Sequence, residues 1–136
     1  MVKAIFILLI LLSTPLPSFS AEESGVYTAA ADSDNVQRVE LTAGSYFFKP
    51  EQIIVRAGVP VELVIRNESK VVPHNFVMES PEAGMDFSES LSGNGNLTVV
   101  RFTPTRPGKY PFYCDKKLLF FKSHKDRGME GVVEVR

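Results

Sequence analysis

From Val36 to the C-terminus, apolar residues recur at intervals of two, interrupted every few residues by turn formers, and no stretch shows a convincing helical period. Val61, Leu63 and Ile65 alternate with Glu62, Val64 and Arg66, the pattern of a strand with one face more polar than the other. Strands are predicted at Gln37–Leu41, Tyr46–Phe48, Ile53–Arg56, Val61–Asn67, Asn75–Glu79, Leu97–Thr103, Lys109–Cys114 and Gly131–Val135. Ala57-Gly58-Val59-Pro60, Ser92-Gly93-Asn94-Gly95-Asn96 and Arg106-Pro107-Gly108 are the clearest turns between them. The expected fold is all-β, a single Greek-key β-sandwich of about seven to eight strands. Lys116 to Lys122 is the one stretch with helical potential, and neither an internal repeat nor a second domain is visible.

The N-terminus follows different rules. Met1-Val2-Lys3 is basic, Ala4 to Leu12 is an unbroken apolar run, and Ser18-Phe19-Ser20 has the small-x-small pattern of a signal-peptidase site. The run is too short to span a bilayer, for which ~20 residues are needed. Residues 1–20 are therefore expected to be a cleaved signal peptide, leaving no stable membrane span, and the destination is periplasmic or secreted. Residues 21–35, small, polar and acidic, read as a flexible N-terminal arm, and residues 36–136 as the folded domain.

Composition narrows the chemistry. With 15 Lys+Arg against 16 Asp+Glu, the net charge of −1 gives no reason to expect nucleic-acid binding. One Cys excludes an internal disulfide and every Cys-rich zinc or iron–sulfur site. In an oxidising compartment that lone thiol needs a partner, a metal or deep burial.

His74 opens a strand, Cys114 ends another, His124 lies ten residues beyond Cys114, and Met129 follows Gly128 just before the last strand. Taken singly, each has an ordinary structural role: a surface or structural His, a buried thiol, a core Met. Jointly they match a mononuclear electron-transfer copper site, two imidazoles and a thiolate with a weak thioether as axial ligand. Soft sulfur favours Cu(I) and imidazole serves Cu(I) and Cu(II) alike, so one copper ion can change oxidation state in a compromise site. Met is a poor zinc ligand. Met78 and Met85 are the other axial candidates.

Four sequence pieces then resemble the cupredoxins, the plastocyanin and pseudoazurin type of blue copper protein. Phe102-Thr103-Pro104-Thr105-Arg106-Pro107-Gly108-Lys109-Tyr110-Pro111-Phe112-Tyr113-Cys114 is similar to their F-x-P-x-x-P-G-x-Y-x-F-x-C run, and Pro73-His74-Asn75 to their P-H-N. Phe48-Lys49-Pro50 through Ile53, Val55, Ala57-Gly58 and Val61 resembles the opening of many bacterial members, and His124 to Met129 the closing H-x4-M. The resemblance spans Val39 to Val135 and implies metal ligands His74, Cys114, His124 and Met129. It also implies that Asn75 pins the Cys114 loop, its N–H aimed at the sulfur, and that Tyr113 is a surface tyrosine at an electron exit. The chain departs from plastocyanin-like members in one respect: nine residues, Asp115 to Ser123, separate Cys114 from His124, a length comparable to that of copper nitrite reductases.

With both His already used, no ligands remain for a catalytic copper. The expected role is therefore a non-enzymatic electron carrier, and the alternative is a module that stores, senses or delivers copper. The loop between Cys114 and Met129 carries Lys116, Lys117, Lys122, Lys125 and Arg127 against Asp115 and Asp126. Such a basic rim suits an acidic-faced partner, a cytochrome c or an oxidoreductase. Of Leu118-Leu119-Phe120-Phe121, at least two are expected to pack over the sandwich end, and the remainder to form an apolar docking patch around His124.

Overall fold

The computed structural model describes residues 25–136, so the expected signal segment lies outside the described residues. Ten strands form: β1 (Val26–Thr28), β2 (Gln37–Gly44), β3 (Phe47–Lys49), β4 (Gln52–Val55), β5 (Val61–Asn67), β6 (His74–Ser80), β7 (Met85–Leu91), β8 (Leu97–Phe102), β9 (Gly108–Tyr113) and β10 (Glu130–Val135). They build a six-stranded sheet in the order β1-β4-β10-β9-β6-β7 and a four-stranded sheet in the order β3-β2-β5-β8. Three pairs are parallel, β1 with β4, β4 with β10 and β2 with β5.

The alternating side chains explain the sandwich. Val39, Leu41 and Ala43 of β2 and Val61, Leu63 and Ile65 of β5 are buried, while Arg38, Glu40 and Arg66 face outward. From the other sheet, Ile53, Phe76, Met78, Phe112 and Val133 meet them in one core. Phe48, Phe76 and Phe112 form an aromatic trio, with Phe48 edge-on to both others at 5.7 and 5.4 Å between ring centroids, and Phe76 stacked on Phe112 at 4.9 Å. Each fully buried Phe contributes ~1.5–3 kcal/mol of transfer free energy. Gly131, opposite Phe112 on β10, admits no side chain: a Cβ there would lie 2.3 Å from the Phe112 ring and 2.4 Å from the Glu51 carbonyl oxygen.

Three sequence expectations give way. Within the 21–35 arm, Val26–Thr28 pair with β4, and Ala31 bridges to Gln37, so this part of the arm is held by backbone hydrogen bonds. β7 was not foreseen, because its Asp86, Ser88, Glu89 and Ser90 are poor strand formers that face solvent on a sheet edge. Lys116–Lys122 is not helical; the short 3₁₀ turn in this connection comes later, at Lys125–Arg127.

β10, β9 and β6 are adjacent central strands, with Glu130 opposite Tyr113 and Val77 opposite Tyr113. The end of β9 therefore lies beside the middle of β6 and the start of β10, and Cys114 continues toward the His74 end of β6. That juxtaposition places Cys114, His74 and Met129 at one end of the sheet.

Candidate metal centre

His74, Cys114 and His124 converge, all three buried, with their donor atoms within 4.8 Å of one another. The Nδ1 atoms of the two imidazoles are 3.1 Å apart, and the Cys114 Sγ lies 3.8 Å from Nδ1 of His74 and 3.4 Å from Nδ1 of His124. A point equidistant from these three atoms is about 2.0 Å from each, against ~2.0–2.1 Å for zinc–imidazole and ~2.3 Å for zinc–thiolate bonds, which set the scale for first-row metals. The triangle thus fits a metal ion near its centre.

Strand-borne groups hold one side of the triangle. Asn75 donates its backbone N–H to the Cys114 Sγ at 3.4 Å, while its side chain donates Nδ2–H to Asp115 Oδ1 at 2.8 Å and accepts the Asp115 N–H at 3.0 Å. The pinning role implied for Asn75 is present, and Asp115, which the sequence did not single out, supplies the other half of it. Phe112, two residues before Cys114, anchors β9 in the aromatic trio.

The long loop reaches His124 without displacing it, because its base is closed. His124 N–H donates to the Lys116 carbonyl at 2.8 Å and Lys125 N–H to the Cys114 carbonyl at 2.9 Å. Residues 117–123 therefore form an excursion beyond a sealed neck. Ser123 and Asp126 cap the turn that follows reciprocally: Asp126 N–H donates to Ser123 Oγ and Ser123 N–H to the Asp126 carboxylate, at 3.1 and 3.3 Å. Met129 is buried, donates its N–H to the His124 carbonyl and accepts the Cys114 N–H, at 3.0 and 3.1 Å. Met78 and Met85 are buried as well.

Tyr46 walls the outer side of His124, their rings edge-on at 5.0 Å, and Arg127 lies over the Tyr46 ring at 4.7 Å. The Tyr46 backbone sits at φ 65°, the left-handed region that costs an aromatic residue ~1–2 kcal/mol. Sequence reading placed Tyr46 in a strand and missed this role; no local signal marks a Tyr for positive φ. Tyr113 is half-buried, donates its hydroxyl to Glu79 and carries Lys125 over its ring at 4.2 Å. The Glu79 hydrogen bond, followed by burial, pushes its pKa up to about 12.

The electrostatics keep the cluster uncharged in the absence of a metal. Burial, then the neighbouring His124, lowers the His74 pKa to about 4, and burial, then Arg127, lowers that of His124. Burial raises the Cys114 thiol, with the Asn75 and Lys116 backbone N–H groups pulling the other way. His74 Nε2 is buried with no hydrogen-bond partner. His124 instead reaches the floor of a surface pocket shared with Tyr46, Leu118, Phe121, Lys122 and Arg127.

The apolar stretch of the loop behaves contrary to expectation. Leu118, Leu119, Phe120 and Phe121 are 64%, 73%, 103% and 59% exposed, so none packs into the core. The sealed neck holds the excursion away from the sandwich, and Leu119 turns the chain at φ 49°, a conformation rare for Leu.

The family described as "Cupredoxin-like domain" matches residues 4–129. No curated protein matches the chain at a significant level. Among solved structures, the metal-binding domain of the Cu(I)-exporting P-type ATPase CopA of Streptococcus pneumoniae D39 is similar at 19% identity, covering 82% of this chain and 95% of that one, with a TM-score of 0.62. Dithionite-reduced auracyanin from Roseiflexus castenholzii is similar at 21% identity, covering 79% and 98%, with a TM-score of 0.59. Reduced rusticyanin is similar at 18% identity, covering 82% and 85%, with a TM-score of 0.60. Strand order, the convergent ligand-type side chains and the family match over most of its length agree, and the chain belongs to the cupredoxin-like domain family.

Proposed function

We propose that the chain is a periplasmic or secreted single-electron carrier in which His74, Cys114 and His124, with Met129 as the fourth ligand, would hold one copper ion. The observation that carries the reading is the buried triangle of two Nδ1 atoms and one Sγ, with sides of 3.1, 3.4 and 3.8 Å. Bound copper would supply a one-electron couple; the protein's own work is to present and shield the donors. Both imidazoles stay neutral at neutral pH and so keep Nδ1 available. The Cys114 thiol must shed its proton on metal binding, which makes affinity rise with pH. Met129 is favoured over Met78 and Met85 because its backbone is bonded to both Cys114 and His124.

Asn75 holds the sulfur by its N–H and fixes the Cys114–Asp115 corner, so the donors need little rearrangement when charge changes. His74 is sealed inside and His124 opens onto a surface pocket, so electrons enter and leave at the His124 edge. The partner is an acidic-faced redox protein, a cytochrome c or an oxidoreductase, steered by the cations around that edge. Its association rate falls as salt is added; a salt-independent rate would remove the steering. Both histidines of the chain belong to this one cluster, which supports a carrier without bond-making chemistry.

Adding Cu(II) to the protein and recording visible absorption and paramagnetic resonance tests the site. An intense thiolate-to-copper band is expected, absent in Cys114→Ser; a colourless wild-type protein overturns the reading. A second reading, copper delivery, is favoured by the similarity to the metal-binding domain of a Cu(I)-exporting ATPase. Stopped-flow separates the two: a carrier transfers electrons faster than it exchanges copper, and a delivery module does the reverse.

A further inference from the structure

The exposed apolar surface is unevenly placed. Apart from Leu97 and Val99 on β8, the large apolar side chains exposed among the described residues are Val71 and Val72, just before His74, and the four of the 118–121 tip, just before His124. Both segments border the metal centre, so the apolar surface gathers at that end of the sandwich. Charge follows the same axis. Residues 115–128 carry five cations against two anions, whereas the remaining described residues carry nine cations against twelve anions. No ion pair among the described residues engages a cation of the loop; the pairs present involve Arg38, Arg101 and Arg136.

The form of this surface selects its occupant. Phe120, fully exposed, stands off the molecule at a turn that Leu119 makes in a disfavoured backbone conformation. A projecting tip of consecutive Leu and Phe offers another protein no flat patch to cover, and lysine, the cation on both sides of the tip, is depleted in protein interfaces. The same arrangement suits a bilayer. Apolar side chains enter the boundary between headgroups and acyl chains, lysine stems lie along it, and ammonium groups remain among anionic headgroups.

We propose that the 116–122 loop is a membrane-docking tip that seats the metal-centre end of the sandwich on an anionic phospholipid surface. Leu119 and Phe120 enter the lipid, and Lys117 and Lys122 contact the headgroups. The His124 edge then faces the plane of the bilayer, and exchange at that edge takes place with partners held at the membrane surface. The docking itself rests on the loop alone and does not require copper in the centre.

The chain contains no Trp, so Phe120→Trp places a single indole at the tip, where an exposed side chain leaves the fold unaffected. Its emission reports the loop even if the apolar N-terminal run also meets lipid. With vesicles of equal parts phosphatidylethanolamine and phosphatidylglycerol, the emission shifts to the blue and is quenched by brominated acyl chains. With phosphatidylcholine alone it does not. Adding Lys117→Ala or Lys122→Ala to that variant weakens vesicle binding about fivefold per charge removed. Solvent-like, unquenched emission on anionic vesicles overturns the proposal, as does an equal shift on phosphatidylcholine. A shift produced by a soluble cytochrome c and by no vesicle assigns the tip to protein docking and overturns it too. Repeating the titration on metal-free protein separates this outcome from that of the copper reading.

Discussion

His74 and His124 meet at 3.1 Å, yet different kinds of structure bring them there. His74 begins a central strand, is sealed in, and is followed by Asn75, whose hydrogen bonds fix the Cys114–Asp115 corner. His124 hangs from a loop, held by backbone bonds at the loop's neck, by the Ser123–Asp126 cap and by the ring of Tyr46. One histidine is placed by the sheet, the other by a closure the sheet does not share. Substitutions on the first side should therefore cost fold stability, whereas those beyond the neck should cost almost none.

The largest effect is expected from Phe112→Ala, which empties the centre of the aromatic trio and should lower the unfolding free energy by about 3–5 kcal/mol in denaturant titrations. A loss under ~1 kcal/mol would show that β9 does not depend on that packing. Next is pH. Because the folded pKa of His74, about 4, lies below the ordinary imidazole value of 6.5, the unfolded chain binds more protons between them. The stabilisation is complete above pH ~6.5 and fades as pH falls toward 4, by up to about 3 kcal/mol. His74→Gln should flatten the acid limb of the stability curve of metal-free protein; an unchanged limb would show that burial of His74 is not its source.

Asn75→Ala should cost about 1–3 kcal/mol, since it leaves the Asp115 N–H and carboxylate without their partner. If thermal unfolding is unmoved, the corner is held by something else. The smallest effect belongs beyond the neck: Phe120→Ala should change stability by no more than about 0.5 kcal/mol, because Phe120 touches no core. A larger loss there would erase the contrast between the two sides.

Some of this was legible in the residues alone. β5 was read at its observed bounds because Val61, Leu63 and Ile65 alternate between flanking turn formers. His74, Cys114 and His124 stood out because scarce side chains of metal-ligating type sat at strand ends or in a connecting loop, where functional groups are usually presented. β7 escaped because an edge strand can be polar on its outer face, so Ser88 and Glu89 hide the period. Leu118 to Phe121 misled for the opposite reason: hydrophobicity says that a side chain gains by leaving water, not whether the chain can carry it to a core. The His124–Lys116 and Lys125–Cys114 hydrogen bonds deny it that path, and a backbone bond of this kind leaves no mark on residue type. Tyr46 was hidden in the same way, by a positive φ that its identity does not announce.

The sealed neck has a consequence for how this protein can be altered. With His124 bonded to Lys116 and Lys125 to Cys114 across it, residues 117–122 are an interchangeable cassette, in the way a hypervariable loop is carried on a fixed framework. Its length and composition are free to drift, or to be redesigned to address the molecule to a new surface, while the chemistry beneath keeps its dimensions.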